Sequence, residues 1–216
     1  MIKTSNLIQD FKHDFYFANR AKRLGLPEGY ADTVMSNYVT HTPSQSAAKQ
    51  AVEELVLNPK DQLLVLSGSD GTGKTHLLCA GLVMADEGRY VTARDISEQI
   101  DRSHSAGEDK TEAEIIEELA ATPLLAMDDS IPTQDELKAE YKSDYFWLIY
   151  LLTERHARSK PTILATNRHF MSACSASNPY ECDTCLEGIL DKSVTSKISR
   201  AITLDGLDHR QEKLSA

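Results

Sequence analysis

Apolar side chains recur along this chain with two different periods, and the change from one to the other marks out its elements. Leu7, Ile8, Phe11, Phe15 and Tyr16 fall at three- and four-residue steps, which predicts an amphipathic helix over Thr4–Arg23. Lys12, His13, Arg20, Lys22 and Arg23 form its polar side, and Gly25-Leu26-Pro27 ends it. A second helix is predicted over Ser44–Val56, with Ser44 as its cap and Ala48, Ala51, Val52 and Leu55 facing inward. Beyond it, short apolar runs alternate with helical stretches. Strands are predicted at Leu63–Leu66, Tyr90–Ala93, Leu124–Met127, Thr162–Ala165 and Ala201–Leu204. Helices are predicted at Lys74–Ala85, Ile96–Arg102, Glu112–Ala121, Asp144–Arg158 and Leu190–Ile198. Such alternation implies an α/β fold, a parallel sheet with helices on both faces. Sheets of this kind take their ligands beyond the carboxyl ends of the strands.

One of those ends carries a complete phosphate-binding signature. Gly68-Ser69-Asp70-Gly71-Thr72-Gly73-Lys74-Thr75 satisfies G-x-x-x-x-G-K-[ST] without a mismatch, and it sits between a predicted strand and a predicted helix that continues through His76. Glycines allow backbone N–H groups to turn onto phosphate oxygens, and the helix N-terminus adds partial positive charge. Lys74 is expected to reach the β- and γ-phosphates of a nucleoside triphosphate, and the Thr75 hydroxyl to sit on Mg²⁺. A glycine-rich turn without a ligand is the bland alternative, and the strand–loop–helix context argues against it.

Two further strand ends bear polar groups. Leu124-Leu125-Ala126-Met127 runs into Asp128-Asp129, where the first carboxylate suits Mg²⁺ and the second suits orientation of an attacking water. By itself the pair reads equally as solvated acids or a helix cap. Ile163-Leu164-Ala165-Thr166 ends at Asn167, whose amide is a candidate contact for the attacking water or the γ-phosphate. Thr-Asn is also ordinary turn chemistry.

Composition narrows the setting. The chain has 216 residues and a net charge of −10, from 33 acidic and 23 basic side chains, so a free monomer should repel duplex DNA and favour protein partners. Arg94, Arg102 and Lys110 are the candidate local DNA contacts, read equally well as solvated charges. No apolar run reaches membrane-spanning length and no signal peptide opens the chain, so no membrane partner and a cytoplasmic location are expected. Of the four cysteines, Cys79 reads as a core residue. Cys174, Cys182 and Cys185 cluster in a polar insertion over 168–188, where Cys182-Asp183-Thr184-Cys185 has C-x-x-C spacing and His169 is a possible fourth ligand. A structural Zn²⁺, reduced loop thiols and a redox pair all stay open there.

Taken together, these residues resemble the AAA+ ATPases of the DnaC, DnaI and IstB group, which are replicative-helicase loaders and transposition helper ATPases. The resemblance runs from about Gly25 to Arg210. It rests on Gly25-Leu26-Pro27 with Asn37-Tyr38, Gly73-Lys74-Thr75-His76-Leu77, Met127-Asp128-Asp129, Pro161 to Asn167, and the closing Asp205-Gly206-Leu207-Asp208-His209-Arg210. It implies an AAA+ P-loop domain over 26–216 that binds ATP and Mg²⁺ at subunit interfaces, preceded by a helical arm over 1–25 that reads equally as a helicase-docking element or as a helix packed on the domain. It further implies weak hydrolysis stimulated by single-stranded DNA, with Asn167 as the sensor and Arg210 near the γ-phosphate. Arg200 would be the finger reaching a neighbour's ATP, with Lys197 as its rival for that place.

Three departures from the group stand out. Asp129 replaces the usual Glu, the stretch between Lys197 and Arg210 is short, and the residues after Leu204 are too few for a helical lid. The function expected is ATP-dependent loading of a hexameric replicative helicase onto single-stranded DNA, in a phage or mobile-element version. The alternative is an IstB-like transposition helper that binds DNA and recruits a transposase. A small-molecule kinase is a third reading, for which neither an acceptor pocket nor a basic lid is evident.

Overall fold

A parallel sheet covered on both faces needs strands that are apolar on both sides, and the alternation of side chains along each strand shows how this chain meets the requirement. The structure, a computed structural model, describes residues 17–60, 62–105, 110–129, 146–170, 185–186, 190 and 192–206. Five strands, β1 (Leu63–Gly68), β2 (Arg89–Thr92), β3 (Leu125–Asp128), β4 (Thr162–Thr166) and β5 (Ile198–Leu204), pair in parallel in the order β2-β3-β4-β1-β5. The helices are α1 (Pro43–Leu57), α2 (Lys74–Ala85), α3 (Ala93–Ser103), α4 (Glu112–Ala121), α5 (Phe146–Ala157) and the single turn α6 (Lys192–Thr195).

Leu63, Val65, Leu125, Met127 and Leu164 face one layer, where they pack with Ile96, Ile100, Ile116, Leu119, Trp147, Leu148 and Leu151 from α3, α4 and α5. Their neighbours Leu64, Leu66, Ala126, Ile163 and Ala165 face the other layer and meet Val52, Leu55, Leu77, Leu78 and Leu82 from α1 and α2. One strand thus feeds two cores by its period of two. Among the described residues no helix is long and apolar enough to cross a membrane.

The elements agree closely with expectation where burial is complete, and differ at several ends. Thr42, not Ser44, caps α1: Pro43 takes the first helical position, the Thr42 hydroxyl accepts from the Gln45 N–H at 3.2 Å, and the Gln45 side chain accepts from the Thr42 N–H. Helix α3 begins at Ala93, directly after β2, because the Thr92 hydroxyl caps it through the Asp95 N–H at 3.1 Å. The helix expected at Leu190–Ile198 shrinks to α6, and β5 starts at Ile198 instead of Ala201. Ladder pairing to β1, from Leu63↔Ile198 to Gly68↔Leu204, outweighs the weak helical periodicity of that stretch. The expected helix over Thr4–Arg23 is helical at 17–24, and its remainder lies outside the described residues.

A buried cation ties the layers together. Arg155 of α5 is 1% exposed, and its guanidinium donates to the carbonyls of Leu119 (2.6 Å), Thr122 (2.8 Å) and Pro161 (2.6 Å) and to the Thr162 hydroxyl (2.8 Å). It thereby satisfies carbonyls at the C-terminal end of α4, where a positive charge also interacts favourably with the negative end of the helix dipole. Burial lowers its pKa to about 9, so the charge is retained at neutral pH.

Candidate functional site

The strand order carries the chemistry-bearing ends to one edge of the sheet. β4 lies between β3 and β1, with Ser67 paired to Thr166 and Met127 to Leu164, so the ends of all three strands share one crevice. Gly68 closes β1, Asp128 closes β3, and Asn167 follows β4.

The loop over Gly68–Gly73 is built from within and from behind. Gly68 has φ +144°, and a Cβ there would stand 2.4 Å from the Leu204 carbonyl oxygen, so β5 passes too close for any other residue. Gly73 has φ +96° as the N-cap of α2, and a Cβ there would meet the Tyr38 ring at 2.7 Å. Lys74, 6% exposed, donates through Nζ to the carbonyls of Gly68 and Ser69, both at 2.8 Å. The buried Thr72 hydroxyl donates to the Ser69 carbonyl at 2.8 Å.

Two residues outside the motif hold the Thr72 carbonyl: Tyr38 through its hydroxyl at 3.4 Å, and the buried Gln45 through Nε2 at 3.3 Å. Burial pushes the Tyr38 phenol up to about 12, so it stays a donor. His76, the first residue after the octet, bonds Asn37 Oδ1 at 3.1 Å and meets the Tyr38 ring edge-on at 5.2 Å. The segment at Asn37-Tyr38 therefore backs the loop directly.

Asp128 is 5% exposed and is surrounded by donors. Its Oδ2 accepts from the Thr75 hydroxyl at 2.6 Å and from the Tyr90 hydroxyl at 2.9 Å, while Oδ1 accepts from the Asp129 N–H at 3.1 Å. A hydroxyl and a carboxylate oxygen this close form the hard oxygen set that Mg²⁺ prefers. Asp129 is exposed, with the left-handed φ of 42° that Asp tolerates better than most residues. Asn167 is exposed and donates through Nδ2 to Asp70 Oδ1 at 2.9 Å, which closes the third side of the crevice. Beneath it, Cys79 is fully buried in α2, its thiol pushed up to about 12 by burial and by Asp128, and so it behaves as core.

Tyr90 and Gln45 belong to no motif and were not legible as site residues. Tyr90 stands on β2 at the register Tyr90↔Ala126, and its phenol is driven upward by burial and by Asp128, which keeps it a proton donor to that carboxylate. If Asp128 holds Mg²⁺ for ATP, Tyr90→Phe should leave the KM for ATP within about twofold and cut the apparent Mg²⁺ affinity about tenfold, because an outer-shell partner of that carboxylate would be lost. A Mg²⁺ titration of ATPase activity that coincides with the wild type would assign Tyr90 to packing alone.

The remaining candidates lie elsewhere. Arg200 is on β5 opposite Leu64, four residues before the crevice end of β1, and bonds Glu54 of α1 at 2.7 Å. Lys197 lies at the opposite end of the sheet, beside Leu63 and Thr162, with Nζ donating to the Ser193 carbonyl. Neither touches the crevice of its own chain. Arg210, Cys174 and Cys182 lie outside the described residues. His169 and the buried Cys185 are brought together by a β-bridge, with Nε2 and Sγ 3.4 Å apart. Among the described residues no group of three metal-ligating side chains occurs.

No protein-family model matches the chain, and no curated protein matches it in sequence. Solved structures do. A DnaC helicase loader superposes with a TM-score of 0.64 at 21% identity, covering 83% of this chain and 100% of that one. DnaI superposes at 0.60 and 18% identity, covering 85% and 94%. The replication initiator DnaA bound to AMPPCP and single-stranded DNA gives 0.64 at 21%, covering 88% of this chain and 56% of its own. The chain thus spans about half the length of DnaA, and 52% of a DNA replication initiation factor that it also matches. All these identities are below 25%, and what they establish is architecture: the chain has the AAA+ P-loop fold found in the DnaC helicase loader and DnaI.

Proposed function

We propose that this chain is an ATP-driven switch that loads a hexameric replicative DNA helicase onto single-stranded DNA, of the phage or mobile-element type. The observation that carries the reading is the convergence of Lys74, Thr75, Asp128 and Asn167 on one crevice, in a fold whose DnaC counterpart is covered along its whole length.

ATP is the substrate that fits. Lys74, freed from the Gly68 and Ser69 carbonyls, has the reach and charge for the β- and γ-phosphates, and the N-terminus of α2 faces the same anion. Thr75 and Asp128 would hold Mg²⁺, which supplies charge neutralisation on the phosphates. Asp129 orients the attacking water, and its carboxylate reaches one methylene less than a Glu would, which suits slow turnover and a protein that acts by its bound state. Arg200 or Lys197, and Arg210, would serve a neighbouring subunit's ATP, since the first two lie away from their own crevice. In this reading the ATP sites are completed by self-association. ATP then favours the assembled state by the arginine–phosphate contact it adds, and hydrolysis removes the preference.

The arm over 1–25 would grip the helicase. Its end is fixed to the domain: Arg23 bonds the Asp86 carbonyl at 2.7 Å and the Asp86 carboxylate at 2.6 Å at the C-terminus of α2, the helix that begins at the phosphate loop. Duplex binding by a transposition helper has less support. Arg94 is bonded to Glu98 and Lys110 to Glu118, so two of the three candidate DNA contacts are neutralised by their own neighbours.

Co-purification with candidate hexameric helicases, with and without ATP, tests the proposal. The wild type should retain one of them, and the double variant Phe11→Ser, Phe15→Ser should lose it while ATP binding stays intact. Retention by the double variant would make the arm structural, and retention of a transposase instead of any helicase would favour the helper reading.

A further inference from the structure

Within the phosphate loop Thr72 and Lys74 turn their polar groups onto the loop itself, while Thr75 turns to Asp128. Lys74 and Thr72 bond the Ser69 carbonyl, and Lys74 also bonds that of Gly68. Asp70 instead reaches across the crevice to Asn167, 97 residues away in sequence, and accepts from its Nδ2 at 2.9 Å. Asp70 is the acidic residue within the octet, and both partners of this bond are exposed at the mouth of the crevice.

We propose that Asp70 competes with the terminal phosphate of the nucleotide for the amide of Asn167. The inference rests on the reading of the crevice as an ATP site. An ionised carboxylate only accepts hydrogen bonds, so Asp70 sets the Asn167 amide with its NH₂ group toward the loop. That NH₂ group is the one a γ-phosphate oxygen would accept from. Carboxylate and phosphate carry the same sign, and the two cannot share one amide at hydrogen-bond distance without repulsion across a crevice shielded on its inner side. With ADP the carboxylate keeps the amide; with ATP it must release it. Asp70 therefore stands in for the third phosphate in the diphosphate and empty states, and it weakens the binding of triphosphate relative to diphosphate. The difference between the two nucleotide states becomes the making and breaking of a single bond between the loop after β1 and the end of β4.

The test measures binding of a non-hydrolysable ATP analogue and of ADP, each with Mg²⁺, to the full chain by calorimetry. Asp70→Ala should tighten the analogue about five- to tenfold, the size of one exposed like-charge contact, and change ADP less than about twofold. Asp70→Asn should tighten the analogue to a similar degree, because the charge is what competes. In an Asn167→Ala background the gain from Asp70→Ala should fall by at least about half, since the competed group is gone. ADP affinity reports that each variant still folds around the site. An unchanged ratio of analogue to ADP affinity, equal tightening of both, weakened analogue binding, or a full gain in the Asn167→Ala background would each overturn the inference. A wild-type protein that binds neither nucleotide overturns the ATP reading itself, and the inference with it.

Discussion

Lys74→Ala is expected to lower ATP affinity by about 10²–10³-fold while leaving the fold intact. The ammonium is almost fully buried, yet its partners in the structure are two carbonyls of its own loop, at 2.8 Å each. Those bonds place the charge where phosphates would arrive, and they are exchanged for charge-assisted bonds when a nucleotide binds. Two such bonds are together worth about 3–4 kcal/mol, which is the predicted loss. Stability should change little, because the loop carbonyls released by the substitution lie at the crevice and can take water. Lys74→Arg should fail nearly as badly, since a planar fork does not replace a compact ammonium inside so close a loop. Equilibrium binding of a fluorescent ATP analogue, with far-UV circular dichroism as the fold control, measures both. Affinity within about threefold of wild type would remove Lys74 from phosphate binding.

Arg155→Met should be strongly destabilising, costing about 3–5 kcal/mol. Methionine fills much the same volume, so the loss is polar. The carbonyls of Leu119, Thr122 and Pro161 and the Thr162 hydroxyl would be left without the donor that now serves them, in a place 1% open to solvent. The damage would reach the site indirectly, because β4 begins at Thr162 and ends at the residue before Asn167. For a chain of this length the melting temperature should drop by roughly 6–20 °C. Urea denaturation followed by circular dichroism checks the size, and a loss under about 1 kcal/mol would show that water replaces the guanidinium freely.

The parts of this molecule that could be read from its residues are those in which one physical demand governs a whole stretch. Strands β1, β3 and β4 are buried on both faces, and so they appear as unbroken apolar runs of Leu, Val, Ile and Ala. The phosphate loop is legible because its glycines, lysine and threonine must stand at fixed spacing. β5 was harder: most of its residues are exposed or only half-buried, and its start is set by pairing with β1, which no local pattern announces. Tyr90, Gln45 and Arg155 were invisible as supporting groups for a related reason. Each is a lone polar side chain whose role depends on a partner 27 to 38 residues away, such as the Thr72 carbonyl, Asp128 or the end of α4. The Asp70–Asn167 bond spans a longer separation still, and nothing in either residue's neighbours foretells it.

A nucleoside triphosphate with its divalent ion is proposed to occupy the crevice formed by the ends of β1, β3 and β4. Calorimetric titration of the wild-type chain with a non-hydrolysable ATP analogue and Mg²⁺ tests it most directly. Saturable binding of about one equivalent per chain at the helix N-terminus is expected, weakened about 10²–10³-fold by Lys74→Ala. An absence of binding at millimolar nucleotide, or binding that Lys74→Ala leaves untouched, would contradict it.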